Sequence, residues 1–177
     1  MPSKTSGLRE ELKQTRPFHS PAHEALLSVV RTAAVVQRLI AQVVEPSGIT
    51  LQQYNVLRIL RGAGGAGLPT LAIRDRMIEE AAGITRLLDK LDAAGLVLRE
   101  RSTPDRRQVL CQITPAGLAL LAALDAPINA TTDAAFATLD AAESATLIEL
   151  LGGVRAACRG ERLPVDQGAS RAGQPPR

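Results

Sequence analysis

Apolar residues recur at helical spacing over several stretches of the chain. From Ala22 to Val44, the positions Leu26, Val29, Val30, Ala33, Val36, Leu39, Ile40 and Val43 form one such series, and Pro46 with Gly48 stops it. Thr50 opens the next helix: Thr50 and Gln53 have capping-box spacing, and Leu51, Tyr54, Leu57 and Leu60 share a side. The glycine-rich stretch Gly62 to Gly67 ends it, and Pro69 suits the first turn of a short helix running to about Met77. Ile84, Leu87, Leu88 and Leu91 then sit at i, i+3, i+4 and i+7, a core-facing stripe. At about 100° per residue, Arg86 falls nearly opposite that stripe, with Ala82, Asp89 and Lys90 around it. Gly95 stops this helix.

The period then changes. Two β-prone runs, LVL and VLCQI, flank RERSTPDRR, whose Ser-Thr-Pro-Asp turn chemistry predicts a hairpin. Thr114-Pro115 starts a long helix carrying Leu118, Leu121, Leu124 and Ile128, expected to bend or break near Pro127. Asp140 and Glu143 have capping-box spacing and open a last helix through Leu147, Leu150, Leu151 and Val154. Residues 1–19 are polar and read as a flexible arm with a short helix at Leu8–Gln14. The stretch 159–177 has little to bury and is expected to be disordered.

Composition supports a helical core. The apolar share is 45%, but there is no Trp, one Tyr and two Phe, so aliphatic helix packing is favoured over an aromatic-cored sandwich. The net charge is only +3, unevenly placed. Leu51 to Thr114 holds ten basic against seven acidic residues, and Ala116 to Cys158 holds five acids and one arginine. A basic module joined to an acidic one suits a polyanion binder coupled to something else. No apolar run approaches the roughly 20 residues of a membrane span, and the N-terminus shows no signal-peptide core. Cys111 and Cys158 make neither a metal spacing nor a disulfide framework, which fits a reducing, cytoplasmic setting.

Short helices followed by a two-stranded hairpin describe a winged helix-turn-helix, in which the last short helix enters the DNA major groove and the hairpin tip reaches the minor groove. Phosphate would also explain why four arginines tolerate one another between Arg99 and Arg107. Residues 49 to 117 resemble the multiple-antibiotic-resistance regulator (MarR) family of bacterial transcription factors, most specifically in GLV-x-R-x-x-x-x-x-DRR-x-x-x-x-x-[LI]-T-x-x-G, here Gly95 to Gly117. The resemblance covers about residues 20 to 158. It implies a mainly α fold with a small β-hairpin wing, the winged helix-turn-helix being embedded in a helical dimerisation domain. Residues 20–48 would be the first dimerisation helix, 49–113 the DNA-binding lobe and 114–158 the C-terminal dimerisation helices. The function implied is a regulator, with repression the expected mode, binding a pseudo-palindromic operator in duplex DNA as a homodimer, with small-molecule effector control. The family's Asp-x-Arg motif falls on Asp105 and Arg107, the aspartate holding the arginine that enters the minor groove. Recognition-helix contacts fall on Thr85, Arg86 and Lys90, with Gly83 at the head of that helix. Arg106 joins Arg107 at the tip, and Arg101 and Arg99 are strand candidates for phosphate contact. Where relatives carry a helix cap, this chain has Glu79-Glu80-Ala81-Ala82-Gly83, acids that suit a helix N-terminus but repel phosphate.

Other features carry less. Gly62-x-Gly64-x-x-Gly67 matches a dinucleotide fingerprint, but it follows a helix rather than a strand and reads as a loose inter-helix loop. His19 and His23 are four apart, yet Pro21 intervenes and no third ligand is near, so no metal is expected. Cys111 alternates with Val109 and Ile113 and should point into the core under the wing. Cys158, at a helix end, is a minor redox candidate, since the family's oxidation-sensing branches use a cysteine near the first helix and this chain has none there. No converging nucleophile, base or ligand set points to an enzyme, and no cofactor is expected. Asp89 reads as an orienting partner for an arginine. The competing class is a helical protein–protein adaptor that keeps the fold without specific DNA binding.

Overall fold

A computed structural model describes residues 7–79, 83–101 and 108–160. The chain divides into two compact units, residues 1–135 and 136–177. It is mostly helical, with one small antiparallel sheet.

In the first unit, the described part of the N-terminal arm holds a single turn, α1 (Leu8–Glu11), with Leu8 buried. Glu11 pairs with Arg31 of α2 (Pro21–Val44) at 3.1 Å. The start of α2 is well specified: the Ser20 hydroxyl accepts from the His23 N–H at 3.2 Å, and Pro21 takes the first helical position. The helix ends where expected, passing into a 3-10 turn over Glu45–Ser47 and then Gly48 at φ 79°. Taken with that turn, residues Pro21–Ser47 are long and apolar enough to cross a membrane by length and composition, with a mean hydropathy of 1.4 over the best window. The run-based expectation missed this because the apolar residues are not consecutive. Glu24, Arg31 and Arg38 interrupt them every seven residues.

The capping box forms as read: in α3 (Leu51–Ala63) the Thr50 hydroxyl accepts from the Gln53 N–H, and the Gln53 side chain accepts from the Thr50 N–H at 2.8 Å. The glycines that follow do not form a loose loop throughout. Gly67, at φ 69°, lies so close to the sheet that a Cβ there would sit 2.6 Å from Gln112 Cγ and 3.0 Å from the Cys111 carbonyl oxygen. Leu68–Pro69 then forms a short strand, β1, which the sequence reading assigned to a helix start. Its partner is β3 (Val109–Ile113), which also pairs with β2 (Val97–Arg101), giving the order β1-β3-β2. As an edge strand β1 tolerates a proline, because Pro69 has no N–H to offer the ladder. The strands of the hairpin expected at 96–113 are therefore the central strand, β3, and one edge strand, β2, of a three-stranded sheet, with Arg99 opposite Cys111 and Arg101 opposite Val109.

The short helix α4 spans Thr70–Arg74, stopping before Met77. Its last turn tightens as the Arg76 and Met77 N–H groups bond to the Ile73 and Arg74 carbonyls, three residues back. Next comes α5 (Ile84–Ala93), closed by a Schellman motif: the Leu96 N–H reaches the Leu91 carbonyl at 2.9 Å and the Gly95 N–H reaches that of Asp92 at 2.9 Å. Gly95, at φ 69°, supplies the left-handed residue this closure needs. Helix α6 (Pro115–Phe136) begins at a Thr114 cap and runs unbroken through Pro127, so the break considered from sequence does not occur. Proline removes one N–H, while Leu121, Leu124 and Ile128 hold both sides of the site against the core. That core gathers Leu57 and Leu60 of α3, Ile73 of α4, Leu88 and Leu91 of α5, Val97 and Cys111 of the sheet and Leu121 of α6.

In the second unit, Asp140 and Glu143 close the capping box read from sequence, at 2.8 and 2.9 Å, and open α7 (Ala141–Gly160). Ile148, Leu150 and Val154 along it are exposed.

Candidate nucleic-acid interface

The core stripe of α5 orients everything else on that helix. Ile84, Leu88 and Leu91 are buried and Leu87 is partly so, which leaves Thr85, Arg86, Asp89 and Lys90 exposed. Gly83 is the residue immediately before the helix and is also exposed. The first helical residue is thus Ile84, a start the sequence left open. Of the acids ahead of it, Glu79 is bonded to Gln37 of α2, while Glu80 lies outside the described residues.

Along β2 the side chains alternate. Val97 is buried, Leu98 and Glu100 are exposed, and Arg99 shares the inner face with Val97. Arg101, at the end of the strand, is exposed. Arg99 does not extend freely from the wing: its Nη1 pairs with the Asp89 carboxylate of α5, and its side chain is only 21% exposed. Its Nε is buried with no hydrogen-bond partner among the described residues, and its guanidinium interacts with the thiol of Cys111, the residue opposite it on β3. Burial pushes the Cys111 thiol up, with Thr70 and Arg99 pulling the other way. Asp105, Arg106 and Arg107, the tip residues singled out from sequence, lie outside the described residues. Cys158 is exposed on α7, and His23 stacks edge-on with Phe18 at 6.1 Å.

A second feature of the first unit was not legible beforehand. A cavity of about 850 Å³ opens between α2, α3, α6 and the segment Met77–Glu79 that precedes α5. Tyr54 and Arg58 face it, the guanidinium lying 5.8 Å from the ring centroid. Burial pushes the Tyr54 phenol up, and Arg58 draws it down. At the same cavity Arg61 of α3 forms a bidentate pair with Asp125 of α6, at 2.8–3.0 Å, which holds the Asp125 carboxyl below its ordinary range. The spacing of Tyr54, Arg58 and Arg61 on one helix was visible in the sequence. Their partners were not, because Asp125 lies 64 residues from Arg61.

Three antiparallel strands packed on short helices, with a polar helix face directly before an arginine-bearing hairpin, define a winged-helix protein. Residues 49–109 match the MarR family model. The chain is 38% identical to a MarR transcription factor from Planctomyces limnophilus whose crystal structure is known, covering 77% of this chain and 98% of that one with a TM-score of 0.60. A MarR variant from E. coli crystallised with operator DNA is 27% identical, covering 73% of this chain and 93% of that one with a TM-score of 0.66. A curated relative, a candidate transcriptional regulatory protein for the hcr operon of Thauera aromatica, is 31% identical over 104 residues. That match spans 59% of this chain and 61% of the relative, less than two thirds of its length. The chain belongs to the MarR family of transcriptional regulators.

Proposed function

We propose that this protein is a DNA-binding transcriptional regulator that acts as a homodimer on a pseudo-palindromic operator in the cytoplasm, repressing transcription without catalysing a reaction. The observation that carries this reading is the exposed face of α5. Thr85, Arg86 and Lys90 stand on the side away from Ile84, Leu88 and Leu91, so burying the helix leaves a cationic, hydrogen-bonding face free for the major groove. Arg101 continues that charge onto the wing strand, and Arg106 and Arg107 follow it closely in the sequence. The exposed Leu26, Val29 and Val30 of α2 are the surface we assign to the partner subunit. The cavity beside Tyr54 and Arg58 is the place we assign to an effector, because Met77, Ile78 and Glu79 in its wall lead into the recognition helix.

Fluorescence polarisation against random duplex at two salt concentrations is the first test. Each Lys or Arg on phosphate contributes about one unit of slope in log affinity against log salt. Binding to no duplex at any salt would leave the adaptor reading. Arg107→Ala should sharply weaken specific binding while leaving dimerisation intact, and wild-type affinity in that variant would remove the wing tip from the interface. Arg86→Ala should cost about 1–3 kcal/mol and relax discrimination at one base pair per half-site. A loss uniform across sequences would make Arg86 a phosphate contact instead.

A further inference from the structure

The acid on the recognition helix needs an explanation. Asp89 is exposed on α5, one helical turn from Thr85 and Arg86, where a bare carboxylate would repel phosphate. Its partner is Arg99 of β2, which was a candidate phosphate contact on sequence grounds. Arg99 is a poor candidate for that work in this fold. Its side chain lies on the inner face of the strand with Val97, it is mostly covered, and its Nη1 is occupied by Asp89.

The connection between α5 and β2 shows what this pair can do. The Schellman turn at Gly95 and Leu96 fixes only the near end of the strand. From Val97 onward β3 pairs with β2 laterally, and Val97 and Cys111 pack into the same core as Leu88 and Leu91, which holds the start of the strand to α5. The Asp89–Arg99 bridge adds a polar attachment between helix and strand, two residues beyond Val97.

We propose that Arg99 and Asp89 are positioning residues for DNA reading, a strut that locks the wing to the recognition helix so that both meet the duplex at a fixed separation. The strut also neutralises Asp89, so the helix presents Arg86 and Lys90 without a competing charge. This inference rests on the DNA-binding reading above.

The two roles for Arg99 predict opposite signs for one substitution. If Arg99 were a phosphate contact restrained by Asp89, Asp89→Asn would free the arginine, remove a repulsive charge and tighten binding. If the pair is a strut, Asp89→Asn loosens the wing and weakens recognition despite removing a negative charge. The test uses the duplex that the wild-type protein selects from a random-sequence library, with unselected random duplex as reference. Asp89→Asn should lower the ratio of selected to random affinity by about tenfold, the equivalent of one misplaced base contact. Arg99→Met combined with Asp89→Asn should lose little more than either change alone, and its salt slope should match the wild type. Asp89 is exposed, so the single variant retains the fold, which a melting curve checks. Unchanged or tighter selective binding by Asp89→Asn overturns the strut, as does a slope about one unit shallower in the double variant. A wild-type protein that selects no duplex removes the DNA-binding function itself, and the positioning role goes with it.

Discussion

The two cysteines show how environment divides side chains of one type. Cys111 is buried opposite Arg99, and burial raises its thiol, so the reactive thiolate is disfavoured in the folded state. Cys158 is exposed on α7. A thiol reagent such as dithionitrobenzoate should therefore release one equivalent rapidly from the native protein and a second only on denaturation. Two fast equivalents would mean that the sheet opens readily at Cys111. Asp125 gives a pH prediction. Its folded pKa is depressed by the Arg61 bond, so the pair stabilises the fold above the ordinary aspartate pKa of about 4. That contribution is lost as pH falls through the depressed value. Asp125→Asn should melt slightly below the wild type at neutral pH, by the small margin of an exposed pair. The gap should close in acid, and a gap that persists there would assign the effect to packing instead of charge.

At the level of elements, the junction of α5, the wing and α6 explains the T-x-x-G that ends the family motif. The Thr114 hydroxyl donates to the Gly95 carbonyl at 2.7 Å and accepts from the Gly117 N–H at 3.1 Å, joining the end of one helix to the start of another. Gly117 has no room for a side chain: a Cβ would lie 2.4 Å from the Leu96 carbonyl oxygen and 2.8 Å from Ile113 Cγ1. Gly117→Ala should cost about 1–3 kcal/mol by overpacking, read from urea unfolding. Equal stability would show that α6 can slide outward without loss. Elements of this kind were legible where local rules decide them. The caps at Thr50, Thr114 and Asp140, the stripe on α5 and the stop at Gly95 all follow from spacing within a few residues. Strand β1 was not legible, because two residues carry no period and Leu68 pairs with Cys111, far along the chain. The role of Gly67 depends on the same distant strand, and the Asp89–Arg99 bridge joins a helix face to a strand face that periodicity treats separately.

At the scale of the whole molecule, α2 carries an exposed apolar surface. Leu26 and Val30 are 59% and 58% exposed and Val29 is exposed too, although all three belong to the helically spaced apolar series read from the sequence. The sequence pattern marks these positions as apolar, and among the described residues nothing covers them. Covering one such side chain is worth about 1.5–3 kcal/mol, so a few residues repeated by two-fold symmetry suffice to drive association. In the proposed dimer, modest half-site contacts would add up to tighter binding of a two-fold operator, since the second lobe would bind at high effective concentration. Val30→Glu places a charge on that surface without touching the DNA-binding lobe. Sedimentation equilibrium should find the wild type at twice the 18.7 kDa chain mass and the variant at the chain mass itself. Affinity for the selected duplex should fall about 10²–10⁴-fold in parallel, as avidity is lost. A variant that remains dimeric with unchanged affinity would place the interface elsewhere than on this face of α2.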